Sequence, residues 1–292
     1  MRNLLIVGCG DVVRRVLPQL SQHWRLIALV RHRDEVLAQH GVIQIVGDLD
    51  QPHTLRRLAG IADAVIHSAP PPQTGTDDTR TRHLIASLRR GKSLPRQLVY
   101  ISTSGVYGDC GGALIDETQP CKPISARAIR RLNAEQQLRR LGGRGGGGSG
   151  SRKSRCRVSL LRAPGIYAAN RLPLERLRKA LPLIQRSEDS HTNHIHATDL
   201  ARACIAALNH GRRNRTYNAC DDTALLMGDW FDLLADKFAL PRSPRLPRAE
   251  IFNAVSEMQW SFMSESRRLH NLRLKRELGL RLRFPTVDLG IA

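Results

Sequence analysis

Two glycines near the start of the chain have the spacing of a dinucleotide-binding turn. The segment VGCGDVV places Gly8 and Gly10 between a short apolar run and a helical pattern, with Val13 at the third glycine position of GxGxxG. Gly8 would allow a tight turn, Gly10 would let a pyrophosphate approach the backbone, and the helix N-terminus would offer free N–H groups. The alternative is a glycine turn that binds nothing. The residues that we predict to bind a dinucleotide here are Gly8, Cys9, Gly10, Asp11 and Val12.

Two arginines follow the second apolar run, about 20 residues after the turn, where NAD-binding proteins usually place an acid for the ribose 2′-hydroxyl. The segment reads Val30-Arg31-His32-Arg33. Guanidinium groups bind phosphate through paired N–H···O bonds. We therefore predict that Arg31 and Arg33 bind the 2′-phosphate of NADP, which we favour over NAD.

Three histidines lie close together at positions 191, 194 and 196, followed by Asp199. Their spacing fits neither one helix face nor the usual zinc patterns, so we predict no metal site. The six cysteines show neither CxxC spacing nor the density of a disulfide scaffold. We expect reduced thiols in a cytoplasmic protein.

Charge is the unusual feature of this chain of 292 residues, which carries a formal net charge of +20. Residues 127–157 hold ten Lys or Arg and one acid, which gives this stretch +9. Such a charge favours phosphate or nucleic acid as a partner, although solvated Arg-rich helices are the simpler explanation. The aromatic content of 4% leaves few stacking partners for RNA bases. No apolar run reaches the roughly 18 residues of a spanning helix, so we expect no membrane segment.

The elements that must position these residues alternate along the chain. Short apolar runs such as LLIVG, RLIALVR, DAVIHSAP and QLVYIST are separated by amphipathic helical patterns. This alternation predicts an α/β fold with a doubly wound parallel sheet, the Rossmann fold, and right-handed crossovers.

We predict two parts, a dinucleotide-binding domain at 1–222 and a smaller C-terminal substrate lobe at 223–292. Residues 168–192 are expected to contribute to the lobe. Within the first part, GGRGGGGSGS at 142–151 is predicted to be a flexible surface loop, because a Gly-rich backbone loses much entropy on ordering.

Further segments resemble a known family. They are GDL at 47–49, IHSAPPP at 66–72, YISTSGVYGD at 100–109, DETQP at 116–120 and RAPGIY at 162–167. With VGCGDVV and the tail SRRLHNLRLKRELGLRLRFPT, they resemble the extended or atypical short-chain dehydrogenase/reductases, and among these the NAD-dependent epimerase/dehydratase family. The resemblance implies a Rossmann fold with a nicotinamide cofactor.

By this resemblance Thr103 would hold the position of the catalytic hydroxyl. A hydroxyl at the carboxyl end of a parallel strand can hydrogen-bond a substrate oxygen. Capping of the strand end is the alternative role for Thr103. The cofactor-binding residues that the resemblance implies are Asp48 and Leu49 at the adenine, Ala69, Pro70 and Ser102 along the cofactor, and Arg131.

The tyrosine and lysine of the family, four residues apart on one helix face, are replaced in this sequence. Alignment of RLNAEQQL places Arg127 and Arg131 at their positions, and no YxxxK occurs anywhere in the chain. A guanidinium keeps its proton at any working pH, so Arg127 cannot replace a phenol. Tyr107, one turn beyond Thr103, is our candidate acid, with packing against the following loop as its alternative role.

Three functions are considered. We favour an enzyme, an NADP-dependent epimerase, dehydratase or reductase that acts on a sugar nucleotide or a similar polar small molecule. The second is a catalytically silent NAD(P)-binding sensor or scaffold, which the missing tyrosine and lysine favour. The third is an RNA-binding relative that uses the stretch 127–157. The sequence identifies neither the substrate nor the oligomeric state, for which a homodimer is considered.

Overall fold

A parallel sheet of seven strands forms the centre of the computed structural model, which describes residues 1–143 and 156–291. The strands are β1 (Arg2–Val7), β2 (Trp24–Val30), β3 (Ile43–Val46), β4 (Ala64–His67), β5 (Gln97–Thr103), β6 (Arg157–Ala163) and β7 (Arg215–Asn218). Their order across the sheet is β7–β6–β5–β4–β1–β2–β3, with every pair parallel. The order reverses between β1 and β4. The predicted doubly wound Rossmann fold is confirmed.

Helices flank the sheet and build most of the C-terminal lobe. The α-helices are α1 (Asp11–Arg14), α2 (Leu17–Ser21), α3 (Glu35–Gln39), α4 (Thr79–Arg89), α5 (Ala126–Gly142), α6 (Leu174–Arg178), α7 (Ala197–His210), α8 (Met227–Lys237), α9 (Arg248–Ala254), α10 (Glu257–Met263), α11 (Leu272–Leu278) and α12 (Val287–Gly290). Short 3-10 helices span Pro52–Leu58, Ser104–Tyr107, Ala169–Arg171 and Arg186–Glu188. Within the described residues, no helix is both long enough and apolar enough to cross a membrane.

Short strand pairs join distant parts of the chain outside the main sheet. Three of them link the segment 223–292 to segments that precede it. The pairs are Leu114–Ile115 with Arg268–Leu269, Gly165–Tyr167 with His194–His196, Leu183–Ile184 with Arg245–Leu246, and His191–Thr192 with Leu225–Leu226.

The helix predicted after β1 is interrupted. Its apolar pattern continues to Leu20, but the structure has two short helices, α1 and α2, on either side of Arg15 and Val16. Pro18 lies in the first turn of α2. Proline lacks an N–H and disfavours helical backbone in the residue before it, so it fits a helix start and not a helix interior.

Two apolar cores lie on opposite faces of the sheet. Along β1, Leu4 and Ile6 belong to the core that includes α7, whereas Leu5 and Val7 belong to the core that includes α4 and α5. Successive side chains of a strand point to opposite faces. The sheet is therefore buried on both sides, which explains why its strands read as continuous apolar runs.

A third core lies in the lobe around Trp230 and Phe231 of α8. Residues from the preceding segment 168–192 that belong to it are Leu177, Leu183 and Ile184. By contrast, Leu274 of α11 belongs to the core that includes α7. The C-terminal part of the chain thus packs partly on the lobe and partly on the sheet.

The Gly-rich segment 142–151 is described only at its start. Gly142 ends α5, and Gly143 follows with a φ of 75°, which glycine adopts without strain. Asn214 Nδ2 donates a hydrogen bond to the Gly143 carbonyl at 2.9 Å. The flexible loop predicted for the rest of the segment lies outside the described residues.

Candidate functional site

The glycine turn after β1 packs tightly against the end of β4. Gly8 has a φ of 89°, and a Cβ added there would lie 2.4 Å from the backbone nitrogen of Ala69. Glycine alone fits such a position. At Gly10, no described atom lies within 4 Å of an added Cβ. The backbone of the turn therefore faces open space, which fits the pyrophosphate of a dinucleotide.

Helix α1 begins directly after this turn. Gly10 is its N-cap and provides no side-chain hydrogen bond, so the first N–H groups of α1 are available to an acceptor. Val13 is buried in the core beneath. Burial also raises the pKa of the Cys9 thiol to about 11, so this thiol stays protonated near neutral pH. The turn thus presents backbone rather than reactive side chains.

Asp11 pairs with two arginines at the opening of the turn. Arg15 Nη2 lies 3.0 Å from Asp11 Oδ1, and Arg171 Nη1 lies 3.3 Å from Oδ2. Burial alone would raise the pKa of Asp11, but hydrogen bonds from Arg15, Asn170 and Arg171 lower it overall. Asn170 and Arg171 belong to the 3-10 helix Ala169–Arg171, so these contacts connect the turn to the segment that leads into the lobe.

Arg31 and Arg33, predicted to bind a phosphate, are exposed just beyond the end of β2. The next residue, Asp34, accepts hydrogen bonds from Arg14 Nη2 and from the backbone nitrogen of Leu37. These bonds lower the pKa of Asp34. The Asp34 carboxylate thus already accepts hydrogen bonds from groups of this chain. Sequence reasoning missed Arg14, whose signal was its position directly after the fingerprint.

Residues predicted along the cofactor follow the ends of β3 and β4. Leu49 is buried, and its carbonyl accepts a hydrogen bond from His83 Nδ1 at 2.7 Å. Arg80 connects the two strand ends, because it pairs with Asp50 at 2.6 Å and donates to the Pro70 carbonyl at 3.1 Å. The predicted residues that lie at this edge are Asp48, Leu49, Ala69 and Pro70.

Thr103 ends β5 and lines a cleft of about 480 Å³. Its Oγ1 accepts a hydrogen bond from Gly105 N at 3.2 Å, so the capping role is present. The hydroxyl proton stays available to a second partner. A Cβ at Gly105 would lie 3.5 Å from Thr103 Oγ1 and 3.6 Å from Ala128 Cβ. Gly105 thus lies between Thr103 and the first turn of α5, and Arg127 of that turn lines the same cleft.

Ser102 and Tyr107 belong to a buried polar network behind β5. Ser102 Oγ donates to Glu135 Oε1 at 2.6 Å, and Arg162 donates two further bonds to Glu135 at 3.0 and 2.7 Å. The Tyr107 hydroxyl donates to Asn218 Oδ1 at 2.6 Å, with its ring 4.6 Å from the Arg162 guanidinium. Burial raises the pKa of Tyr107. The structure does not bring Tyr107 to the described lining of the cleft.

Arg131 is fixed on the ends of β4 and β5. Its Nη1 donates to the Ile101 carbonyl and the Tyr100 hydroxyl, both at 3.0 Å, and to the Ala69 carbonyl at 3.4 Å. All three acceptors are neutral. Among the residues that the structure describes, no acid forms an ion pair with Arg131, so it offers a fixed positive charge at the sheet edge.

The cleft next to Thr103 combines cationic and apolar walls. Glu265, the acid among its described lining residues, pairs with Arg267 at 2.8 Å. The arginines that line it are Arg127, Arg171, Arg176 and Arg267, and the large apolar residues include Met227, Trp230, Phe231, Phe262 and Met263. This combination suits a ligand that carries both an anionic group and a ring.

Of the three histidines, His191 and His194 line the cleft, and His196 is not among its described lining residues. Burial lowers the pKa of His194 to about 3, and its ring lies 4.4 Å from that of Trp230. The His196 ring lies 3.9 Å from the ring of Phe284. Nearby, Asp199 accepts hydrogen bonds from the backbone nitrogens of Arg283 and Phe284. In the described part of the chain, no group of three or more His, Cys, Asp or Glu side chains could hold a metal ion.

The arginines of α5 largely serve contacts within the chain. Arg130 donates to the Gly75 carbonyl at 2.7 Å, and Arg139 donates to the Asn214 carbonyl at 3.0 Å. Arg140 is exposed. Arg130, Arg131 and Arg139 are therefore held by hydrogen bonds within the chain, mostly to neutral carbonyls that leave the positive charge of the helix in place.

Comparison with known proteins identifies the family to which the sequence is similar. The sequence profile of the NAD dependent epimerase/dehydratase family matches residues 8–220. A search of curated proteins finds no match.

Solved structures share the fold over nearly the whole chain. A functionally unknown conserved protein from Silicibacter pomeroyi DSS is 27% identical with a TM-score of 0.77, over 100% of this chain and 97% of the other. The UDP-glucose 4-epimerase of Thermotoga maritima, solved with UDP-glucose, is 17% identical with a TM-score of 0.76, over 99% and 96%. A double mutant of the dTDP-glucose 4,6-dehydratase DesIV of Streptomyces venezuelae, solved with NAD, is 19% identical with a TM-score of 0.76, over 100% and 95%.

Proposed function

The chain belongs to the NAD-dependent epimerase/dehydratase family, and we propose that it binds NADP and acts on a sugar nucleotide or a similar polar small molecule. One observation carries the proposal. The glycine turn and the ends of β4 and β5 form one edge of the sheet. Thr103 ends β5 at this edge and also lines the cleft. A cofactor on that edge and a substrate in the cleft would therefore meet at Thr103.

The residues at the edge fit a nicotinamide cofactor, which the family uses. Such a cofactor supplies hydride transfer when it is bound. The free N–H groups of α1 would receive the pyrophosphate, and the exposed guanidiniums beyond β2 would receive the 2′-phosphate of NADP. The residues that we propose as its contacts are Gly8, Cys9, Gly10, Asp11, Val12, Arg31, Arg33, Asp48, Leu49, Ala69, Pro70 and Arg131.

Thr103 and Arg127 would act on the substrate by binding and orientation. Because Thr103 Oγ1 accepts from Gly105, its O–H can donate to a substrate oxygen. Arg127 offers a fixed charge that does not give up its proton. This pair positions a substrate oxygen, whereas the phenol of the family would also transfer a proton.

A catalytically silent sensor is the second candidate. Two observations favour it: the cleft is lined by Arg127, which the sequence alignment assigns to the position of the family tyrosine, and the Tyr107 hydroxyl donates a hydrogen bond to Asn218. Such a protein would bind the cofactor without turnover.

Titration of the full chain with NADPH and NADH, followed by nicotinamide fluorescence, tests both candidates. A panel of sugar nucleotides then reports turnover through the nicotinamide absorbance. Tighter binding of NADPH with turnover supports the enzyme, and binding without turnover supports the sensor. If neither NADPH nor NADH binds, both candidate functions are contradicted.

A further inference from the structure

Two arginines of the cleft lack an acidic partner. Arg127 of α5 and Arg176 of α6 line the same cavity, and neither forms an ion pair with a described residue. Each guanidinium lies over an aromatic ring instead, 4.2 Å from the centroid of Phe262 and 5.3 Å from that of Phe231. Rings of this kind hold a cation in place without neutralising its charge.

Their hydrogen bonding is also incomplete. Arg176 Nη2 donates to the Pro182 carbonyl at 2.9 Å, but its buried Nε has no partner among the described residues. Arg127 donates no hydrogen bond to the part of the chain that the structure describes, and it keeps access to solvent through the cleft. Burial lowers the pKa of both guanidiniums. For Arg176, whose Nε is buried, a positive charge withdrawn from water without a counter-charge is costly, and a bound anion would offset that cost. Arg127 is exposed at the cleft, so its charge is open to the same anion.

The other two arginines of the cleft already have counter-charges. Arg171 pairs with Asp11 at 3.3 Å, and Arg267 pairs with Glu265 at 2.8 Å. The excess positive charge of the cavity is therefore located at Arg127 and Arg176.

We propose that Arg127 and Arg176 form an oxyanion-binding pair that takes a phosphate or carboxylate group of a small ligand. The ring or apolar part of this ligand would pack against Trp230, Phe231 and Phe262. The inference rests on the proposed function, because it concerns the same cleft. It adds that the ligand carries its negative charge on the side of the cleft next to Thr103, where the family tyrosine is missing.

Calorimetric titration of the full chain at low ionic strength tests the pair, with inorganic phosphate and oxalate as probes and glycerol as the neutral reference. We expect Arg127→Gln and Arg176→Gln each to weaken binding of the preferred probe roughly tenfold, the loss of about one charge-assisted hydrogen bond. The preference between phosphate and oxalate identifies which group the ligand carries.

Two matched controls remove an arginine from the same helices outside the cavity. Arg140→Gln changes an exposed arginine of α5, and Arg178→Gln changes an exposed arginine of α6 that pairs with Glu175. We expect both controls to bind the probes within about twofold of the unaltered chain, as surface charges contribute little. Arg127→Lys, which keeps the charge, should retain more binding than Arg127→Gln. It also keeps the test decisive if Arg176→Gln fails to fold.

The outcomes separate this inference from the proposed function. Equal affinities of the unaltered chain, Arg127→Gln and Arg127→Lys would overturn the pair, even with normal NADPH binding. Displacement of the probe by NADPH would also overturn it, since the anion would then lie in the cofactor groove. Loss of probe binding in both Gln variants, in a chain that binds no NADPH, would support the pair while contradicting the cofactor proposal.

Discussion

Acids near the edge where we propose that the cofactor binds, which is formed by the glycine turn and the ends of β2 to β5, have pKa values shifted in the opposite direction to those of acids next to the lobe. At the edge, arginine hydrogen bonds lower the pKa values of Asp34 and Asp50. Beside the lobe, burial raises the pKa of Glu117, of Asp189 and, to about 7, of Asp221. At the edge, the arginine bonds outweigh the effect of burial on these two acids. Beside the lobe, burial outweighs the ion pairs of Glu117 and Asp189, and Asp221 Oδ2 has no partner among the described residues.

The same contrast holds for the arginines. Arg14 and Arg80 at the edge pair with acids of the neighbouring loops, but Arg127 and Arg176 in the cleft have none among the described residues. The edge also keeps an arginine without an acid, Arg131, whose Nη1 donates to neutral acceptors. We therefore expect the glycine turn to bind through its backbone, and the unpaired arginines of both regions to depend on a ligand for neutralisation.

The largest expected effect comes from restoring the family pair by Arg127→Tyr with Arg131→Lys. The phenol and the ammonium would lie on one face of α5 beside Thr103, and the ammonium would lower the pKa of the phenol. General acid catalysis contributes about 10² to 10⁴ in rate, so a silent protein should gain slow NADPH oxidation with carbonyl substrates. Stopped-flow absorbance measures it. If the unaltered chain already turns over substrate and the double variant does not, Arg127 and Arg131 are working residues of the reaction.

The backbone character of the edge predicts that Gly8→Ala is severe. The added Cβ would meet the backbone of Ala69 and would force alanine into a positive φ. We expect a loss of about 3 kcal/mol in the free energy of unfolding, measured by urea denaturation, and loss of NADPH binding. Gly10→Ala is the control, because its added Cβ would meet no described atom. This variant should keep its free energy of unfolding and lose only its affinity for NADPH. Normal folding of Gly8→Ala would show that the turn can move away from β4.

The raised pKa of Asp221 predicts a pH dependence that is opposite to that of the edge. Because burial holds the folded pKa near 7 and the unfolded value lies near 4, the folded chain binds the extra proton in between. The free energy of unfolding should therefore fall as pH rises from about 4 to 7, by roughly 3 kcal/mol. Asp221→Asn should remove this slope in denaturation curves at several pH values. A slope unchanged in Asp221→Asn would assign it to another group.

A smaller effect is expected at the exposed arginines of the edge. Arg31→Asp with Arg33→Ala should reverse the preference for NADPH over NADH, with roughly a tenfold change for each lost phosphate contact. Fluorescence titration with both dinucleotides measures it. Equal affinities of the unaltered chain for the two dinucleotides would contradict a 2′-phosphate site here.

The fold and the glycine turn after β1 could be predicted from the sequence because both depend on local signals. The strands of the sheet are buried on both faces, so their apolar runs stand out. The turn at Gly8 needs a residue without a side chain, and that requirement is visible in one short segment. Pro18 gave the matching signal for the break between α1 and α2, although the apolar periodicity around it predicted a single helix.

The cleft was harder to predict because its walls come from segments far apart in the chain. Tyr107 follows Thr103 by one turn, which made it a candidate, but its hydroxyl binds Asn218, 111 residues later. Ser102 likewise donates to Glu135, which no local pattern connects to it. The pairing of Arg127 with Phe262 and of Arg176 with Phe231 depends on how the lobe packs on the sheet. The spacing of residues in the sequence does not show which residues from distant segments lie in contact.

The buried contact between Glu135 and Arg162 has a consequence for the entropy of binding. Glu135 lies on α5 and Arg162 on β6, and Ser102 of β5 donates to the same carboxylate. These bonds anchor the middle of helix α5 to two strands. The backbone of Arg127 belongs to this anchored helix. When a ligand binds its guanidinium, the protein therefore loses less conformational freedom than it would if α5 were unattached.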